Sequence, residues 1–259
     1  MQKNNKAAFI SVVVFGLFSS SSHAALTNYT SAGSEVVYSS AGDISWTKDA
    51  NLLGSMFNSQ GFSTVVNAII GSYSGSYALT AGDFESDGAA TWVGANAFIG
   101  YLNSVSYAGT NQWRLPTIID TGSTGCNYST NGTDCGYNVD TSTGEMAKLY
   151  YDELGGKGVR DKLGNYQPDA DGIPDTAYFD NEVYDIYWSS LQSATPGGAW
   201  IFATDDGTQM DGFSKTSHTY VWAVTSALTV TAVPEADSVA MLMAGLGLLG
   251  LMARRKQSV

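Results

Sequence analysis

Apolar residues recur at intervals of three and four in three parts of the chain, and this spacing predicts amphipathic helices. The first helix is predicted to open at residues 49–51, and the second to run from 89 to about 105. The third has the clearest boundaries, because Ser142 and Glu145 have the spacing of a capping box and Gly155 supplies a left-handed stop. The three apolar faces consist of Leu52, Leu53, Met56 and Phe57; of Trp92, Ala95, Ile99 and Leu102; and of Met146, Leu149, Tyr150 and Leu154.

Short aliphatic and aromatic runs between turn signals predict the strands. Two runs come early in the chain and three come late, so a cluster of antiparallel strands follows the helices. We therefore expect an α+β fold with short antiparallel strands and two to three helices. Within the late strands, Trp188, Trp200 and Trp222 are expected in the core rather than at a sugar-binding surface. The predicted strands are 35–38, 44–46, 186–189, 199–203 and 220–224.

The N-terminus has the layout of a secretory signal peptide. Two lysines precede the apolar run 7–18, and Ser22 and Ala24 place small residues where the signal protease requires them. A transmembrane anchor needs about 20 apolar residues, which is more than this run contains. We predict that residues 1–24 are removed on export.

A second apolar stretch lies near the C-terminus, between a short motif and a basic cluster. Residues 239–253 are uncharged and predict a transmembrane helix, and the basic cluster holds its C-terminal end in the cytoplasm. At about 1.5 Å per residue this helix spans roughly 22 Å, less than the ~30 Å hydrocarbon core, and such a helix suits a temporary anchor. The motif is Val233, Pro234 and Glu235, and the cluster is Arg254, Arg255 and Lys256.

Residues 233–259, with this tripartite order, resemble a PEP-CTERM sorting signal. The resemblance implies export across the inner membrane of a Gram-negative bacterium, membrane anchoring at least for a time, and removal of the tail by an exosortase-type membrane protease. The protein would then reside at the cell surface or in the extracellular matrix. Ala236 departs from the pattern, which usually has a second proline there. An ordinary single-span anchor is the alternative.

Six motifs follow one another in the middle of the chain: Trp113-Arg114-Leu115-Pro116-Thr117, the loop 125–137, Glu145-Met146-Ala147, Tyr187-Trp188-Ser189-Ser190, Ala199-Trp200-x-Phe202 and Tyr220-Val221-x-Ala223-Val224. Over about residues 35–230 this set resembles the Lcl C-terminal domain family. The resemblance implies that residues 25–232 form one domain, related in fold to C-type lectins and to formylglycine-generating enzymes, and it implies no settled activity. The last strand of that family usually carries arginines, whereas this chain has Trp222 and Thr225 there. The resemblance therefore does not extend to anionic-glycan binding through those arginines.

Charge and histidine content narrow the functional classes. Between the two ends, the chain has 22 acidic residues and seven basic ones. Nucleic-acid binding depends on Lys and Arg that neutralise phosphates, so no nucleic-acid partner is expected. His218 is the only histidine after residue 24, which excludes zinc sites and catalytic sites that need two histidines from one chain. A lone histidine in a Ser/Thr-rich turn is expected at the surface.

Cys126 and Cys135 are the two cysteines of the chain, and the segment between them contains the turn signal Asn131-Gly132. In an oxidising periplasm, two cysteines this close predict a structural disulfide worth about 2–4 kcal/mol. A formylglycine-type catalytic cysteine pair, which the fold resemblance suggests, is the alternative.

Acidic residues gather in one turn-rich segment. Asp169, Asp171 and Asp175 lie around Gly172 and Pro174, and calcium prefers such clusters of oxygen ligands. The spacing does not match an EF-hand loop. Calcium binding at these three residues is one interpretation and a solvated acidic turn is the other, and no further cofactor is expected. A weaker second cluster consists of Asp205, Asp206 and Asp211.

These features favour a non-catalytic exported protein that associates with extracellular polysaccharide. The loops at 166–185 and 205–213 are the expected place for a glycan, since aromatic rings stack on sugars and Asp and Asn bind hydroxyls. A structural matrix component without a discrete ligand is the second hypothesis. An enzyme acting on extracellular polysaccharide is the third, but among 22 acids a close pair of carboxylates has little specificity for glycoside hydrolysis.

Overall fold

The computed structural model describes residues 26–228. The predicted signal peptide, residues 1–24, and the predicted sorting segment with its helix at 239–253 lie outside the described residues. None of the helices within 26–228 has the length and apolar character that a membrane span requires.

Two antiparallel sheets form the framework of the domain, and the first joins both ends of the described chain. Its order is β1 (Leu26–Ser31), β2 (Ser34–Ser39), β3 (Ile44–Thr47) and β7 (Val224–Thr225). The strands predicted at 35–38 and 44–46 are confirmed as β2 and β3. Their register runs from Val36 opposite Thr47 to Ser39 opposite Ile44, across the predicted turn.

The second sheet has the order β4 (Ile186–Gln192), β5 (Gly198–Ala203) and β6 (Thr208–Ser214). The predictions at 186–189 and 199–203 are confirmed, and all six residues of the central strand β5 are buried. Strand β6 was predicted as part of a loop at 205–213. It buries the polar residues Thr208 and Gln209, so its sequence lacks the apolar alternation that predicts a strand.

The strand predicted at 220–224 is shorter than expected, because this segment crosses from one sheet to the other. Tyr220 makes a single bridge with Tyr187 of β4, whereas Val224 pairs with Trp46 of β3. The backbone hydrogen bonds of the segment are therefore divided between two sheets.

Three helices lie between β3 and the long loops: α1 (Leu52–Gln60), α2 (Phe62–Ser72) and α3 (Trp92–Ser104). The start of α1 is confirmed, since the Asn51 side chain accepts a hydrogen bond from the Gly54 N–H. Helix α3 begins later than predicted because Thr91 is its cap and Ala90 is held in a bridge with Thr219. Helix α2 was not predicted.

The fourth helix differs from the prediction at its start. It consists of one α-helical turn, α4 (Glu145–Ala147), which continues as the π-helical segment Lys148–Glu153. The predicted capping box between Ser142 and Glu145 is wrong. The backbone N–H and the hydroxyl of Ser142 both donate to Asp140, and Glu145 instead pairs with Arg114. The predicted left-handed stop is confirmed, with φ of 72° at Gly155.

The helices α1–α3 pack against the second sheet, and the aromatic residues fill the space between the sheets. Leu53, Ile69 and Phe98 share one buried cluster with Trp188 of β4. Trp222 belongs to a second cluster. The expectation that Trp188, Trp200 and Trp222 are core residues is confirmed, since each is at most 2% exposed. The domain is a mixed α+β fold, as predicted.

Candidate functional site

A long, mostly irregular segment connects α3 to β4, and one ion pair fastens its first part to α4. The guanidinium of Arg114 donates to both carboxylate oxygens of Glu145, at 2.6 and 2.7 Å. The backbone N–H of Thr117 donates to the same carboxylate at 2.7 Å. Such a bidentate pair fixes direction as well as distance. The Trp113–Thr117 motif is therefore held against the helix that precedes the loops of the candidate site.

The disulfide between Cys126 and Cys135 is present, as predicted. Its loop is positioned by Asp134, whose carboxylate accepts from the Thr121 N–H at 2.5 Å and whose carbonyl accepts from Gln209 at 2.6 Å. Burial alone raises the pKa of the Asp134 carboxyl, but hydrogen bonds from Thr121 and Ser123 outweigh it and the pKa is lowered.

The three aspartates proposed as calcium ligands line one groove. This acidic groove has a volume of about 430 Å³ and is lined by residues 155–157, Asp169 and 171–175. The ammonium of Lys157 pairs with Asp169, and this hydrogen bond lowers the pKa of the Asp169 carboxyl. One of the three negative charges is thus already balanced.

The carboxylates of Asp169, Asp171 and Asp175 share the groove without converging on one point. Within residues 26–228, the single set of three potential metal-ligand atoms within 4.8 Å of one another is Cys126, Asp134 and Cys135. Those two sulfur atoms form the disulfide and are not free thiolates. Calcium binding stays a prediction.

A glycine gives the groove its shape. Gly172 has φ of 77°, and a Cβ at this position would lie 2.2 Å from the ring of Tyr184 and 3.0 Å from the carbonyl oxygen of Thr204. The hydroxyl of Thr204 donates in turn to the carbonyls of Val183 and Asp185, at 2.6 and 2.7 Å. Three segments of the chain therefore meet at the groove: 171–175, 182–185 and the turn between β5 and β6.

Two further carboxyls, Glu182 and Asp205, lie on the segments that meet at the groove, and each is only partly hydrogen-bonded. Burial raises the pKa of Glu182, and the charge of Asp175 adds to the effect. Burial likewise raises the pKa of Asp205, with a contribution from Asp206. Each carboxyl has one buried oxygen without a hydrogen-bond partner, Oε1 of Glu182 and Oδ1 of Asp205. Within the described residues, these two buried oxygens therefore have no hydrogen-bond donor.

Exposed tyrosines flank the same segments in the sequence. Tyr166, Tyr178 and Tyr184 are 67%, 40% and 60% exposed. They lie in the loop region 166–185 that was predicted for a glycan. The second predicted region, 205–213, contributes only its first residues, because β6 occupies the remainder.

The other residues selected from the sequence lie elsewhere. Asp211 lines a separate groove of about 370 Å³ beside the disulfide, so the predicted cluster of Asp205, Asp206 and Asp211 is divided. His218 lies on another part of the domain, where its ring contacts the Gly82 carbonyl at 3.0 Å. Sequence reasoning missed Lys157 and Glu182, because their role depends on loops that fold together.

The fold and this surface define a class: an α+β domain whose long loops present an acidic, tyrosine-bearing surface. The family model described as the Lcl C-terminal domain matches residues 35–225, and the chain belongs to this family. The model described as the PEP-CTERM protein-sorting motif matches residues 232–256. Both resemblances noted in the sequence are confirmed. Comparison with curated proteins and comparison with solved structures gave no match.

The sorting motif marks an exported protein that is directed toward the cell surface and processed by an exosortase-type system. The signal peptide, residues 1–24, and the transmembrane helix, 239–253, stay predictions.

Proposed function

We propose that this protein is a non-catalytic component of the cell surface or matrix that binds extracellular polysaccharide at the acidic groove. The observation that carries the proposal is that three exposed tyrosines flank the groove: the ring of Tyr184 lies beside Gly172, and Tyr166 and Tyr178 lie three residues before and after the segment 169–175. Aromatic rings bind the apolar faces of sugars, and neighbouring carboxylates accept hydrogen bonds from sugar hydroxyls.

Charge selects the kind of polymer. The 22 acidic and seven basic residues of the domain repel a polyanion, so a neutral polysaccharide is the preferred ligand. An acidic polysaccharide becomes a ligand if calcium binds between its carboxylates and those of the protein. Asp171 and Asp175, which line the groove, would then supply oxygen ligands. Calcium would lower the local negative charge in either case.

The experiment is co-sedimentation of residues 25–233 with the producing organism's own exopolysaccharide, in calcium and in chelator. Saturable binding is expected. Loss of binding in chelator would support calcium at the groove, whereas equal binding in both buffers would favour a neutral polymer bound directly. No binding in either buffer would contradict the proposal and leave the structural-matrix hypothesis.

Variants locate the site. Tyr166→Ala and Tyr184→Ala should each weaken binding by about two- to tenfold, which corresponds to the loss of roughly 0.5–1.5 kcal/mol of stacking. Tyr128→Ala is the matched control, because Tyr128 is 76% exposed but lies on the disulfide loop. Equal losses in all three variants would place the binding outside the groove. Release of reducing ends from the polymer by the wild-type protein would contradict the non-catalytic assignment.

A further inference from the structure

The last described residue of the domain, Leu228, is fixed by hydrogen bonds. The carbonyl of Leu228 accepts from the hydroxyl of Tyr29 in β1 at 3.1 Å and from the hydroxyl of Ser45 in β3 at 2.5 Å. The two hydroxyls lie 2.8 Å from each other. The Leu228 side chain also packs against the core cluster. Leu228, which we call the exit, is therefore fastened to strands β1 and β3 of the first sheet.

The connection between this exit and the sorting motif is short. The motif matches from residue 232, and Val233 is separated from Leu228 by residues 229–232. Even fully extended, the chain from Leu228 to Val233 spans at most about 17 Å. A domain of this size has a radius of gyration of roughly 17 Å, and hence an outer radius of about 21 Å. A protease that binds the motif must therefore meet the side of the domain on which Leu228 lies.

That side of the domain is suited to close approach. Strand β1 is the edge of the first sheet, and none of its six residues is charged, whereas the exposed Glu35 of β2 lies opposite Thr30. Thr27 and Thr30 are exposed on it. Acidic groups within about one Debye length, roughly 8–10 Å, of anionic lipid headgroups are repelled, so an edge strand that adds no charge of its own beside Glu35 is repelled less than the acidic loops.

We propose that β1 and the Leu228 exit form the surface that contacts the exosortase-type protease at the outer face of the inner membrane while the tail is processed. The proposal depends on the sorting motif and is independent of the proposed polysaccharide binding.

The test uses the full chain in its producing bacterium, with an epitope-tagged exosortase. A photo-reactive benzoylphenylalanine is placed at Thr27, which lies on the same strand face as Tyr29. The matched control carries it at Tyr128 on the disulfide loop. A cross-link to the protease is expected from Thr27 and not from Tyr128. Processing without a cross-link from Thr27, or equal cross-links from both positions, would overturn the proposal.

Two further variants test the physical reasons. A flexible Gly/Ser insert of about ten residues after residue 230 should abolish the Thr27 cross-link while processing continues, because the domain can then move away. The pair Thr27→Asp and Thr30→Asp should slow processing severalfold relative to the pair Thr27→Asn and Thr30→Asn. An unchanged cross-link with the insert, or equal rates for the two pairs, would contradict the proposal. Formation of the Cys126–Cys135 disulfide shows that each variant has folded. Failure of polysaccharide binding would leave all these outcomes unaffected.

Discussion

The ion pair between Arg114 and Glu145 offers the most direct test of how the loop region is held. Glu145→Gln keeps the shape and one acceptor oxygen but removes the charge that serves three hydrogen bonds, two from Arg114 and one from the Thr117 N–H. A hydrogen bond to a charged group contributes about 1.5–3 kcal/mol when buried. The side chains of Arg114 and Glu145 are 34% and 19% exposed. The summed energy of the three hydrogen bonds must therefore be reduced strongly, toward the values measured for surface ion pairs. We expect a loss of about 2 kcal/mol.

The assay is urea unfolding of residues 25–233, followed by tryptophan fluorescence. A loss of about 2 kcal/mol corresponds to a decrease in Tm of roughly 4–8 °C for a domain of this size. A double-mutant cycle with Arg114→Met isolates the pair, and a coupling energy of at least about 1 kcal/mol is expected.

The exposed pair Lys148–Asp152, with 3.6 Å between the charged atoms, supplies the matched control. Lys148→Met should change stability by no more than about 0.5 kcal/mol. The reasoning would be refuted by a loss below about 0.5 kcal/mol in Glu145→Gln, or by additive effects in the Arg114 and Glu145 variants.

Three further predictions concern the free energy of unfolding. Replacing Cys126 and Cys135 by Ser should cost about 2–3 kcal/mol, measured by the same urea titration, and a reductant should then leave the variant unchanged. Burial raises the pKa of Glu153, whose carboxylate accepts a hydrogen bond from the Ser39 hydroxyl. The stability that this raised pKa contributes is therefore present below the unfolded pKa of about 4.3 and is lost as pH rises through the folded pKa. Glu153→Gln should therefore increase Tm at pH 7 and not at pH 4, and equal shifts at both pH values would contradict this. The pKa of Asp134 is lowered, so the stability it contributes has the opposite pH dependence: it is present above about pH 3.9 and is lost as pH falls through the folded pKa. The loss of unfolding free energy in Asp134→Asn, measured by urea titration, should therefore become smaller on acidification.

Short-range sequence patterns correctly predicted the elements that are stabilised by residues close to them in the sequence. Strands β2 and β3 form one hairpin, and α1 begins where Asn51 can cap it. The prediction failed where distant groups compete for the same side chain. Glu145 has the correct spacing from Ser142 for a capping box, yet Arg114 offers a stronger, charged partner that is 31 residues away.

The candidate site was predicted only in part, because some of its contacts join residues that lie far apart in the sequence. The composition of residues 169–175 predicted a cluster of carboxylates, and Asp169, Asp171 and Asp175 do line one groove. Sequence could not show that Lys157 neutralises Asp169, or that Glu182 keeps an oxygen without a partner. Those properties arise only when three loops meet around Gly172.

The last strand bears on the proposal that a ligand binds at these loops. Trp222 and Thr225, which stand where the family resemblance leads us to expect arginines, are fully buried. The indole ring of Trp222 packs against the rings of Trp46 and Phe179, with 5.2 and 4.8 Å between ring centroids. Its N–H donates a hydrogen bond to the Thr47 carbonyl at 2.9 Å. An arginine in this place would bury an unpaired charge, which costs several kcal/mol. In this chain the last strand closes the domain, and the binding that we propose is therefore expected at the acidic groove and not at this strand. Because its charge is opposite to that of an arginine-bearing surface, we expect a neutral or calcium-bridged polymer rather than a free polyanion.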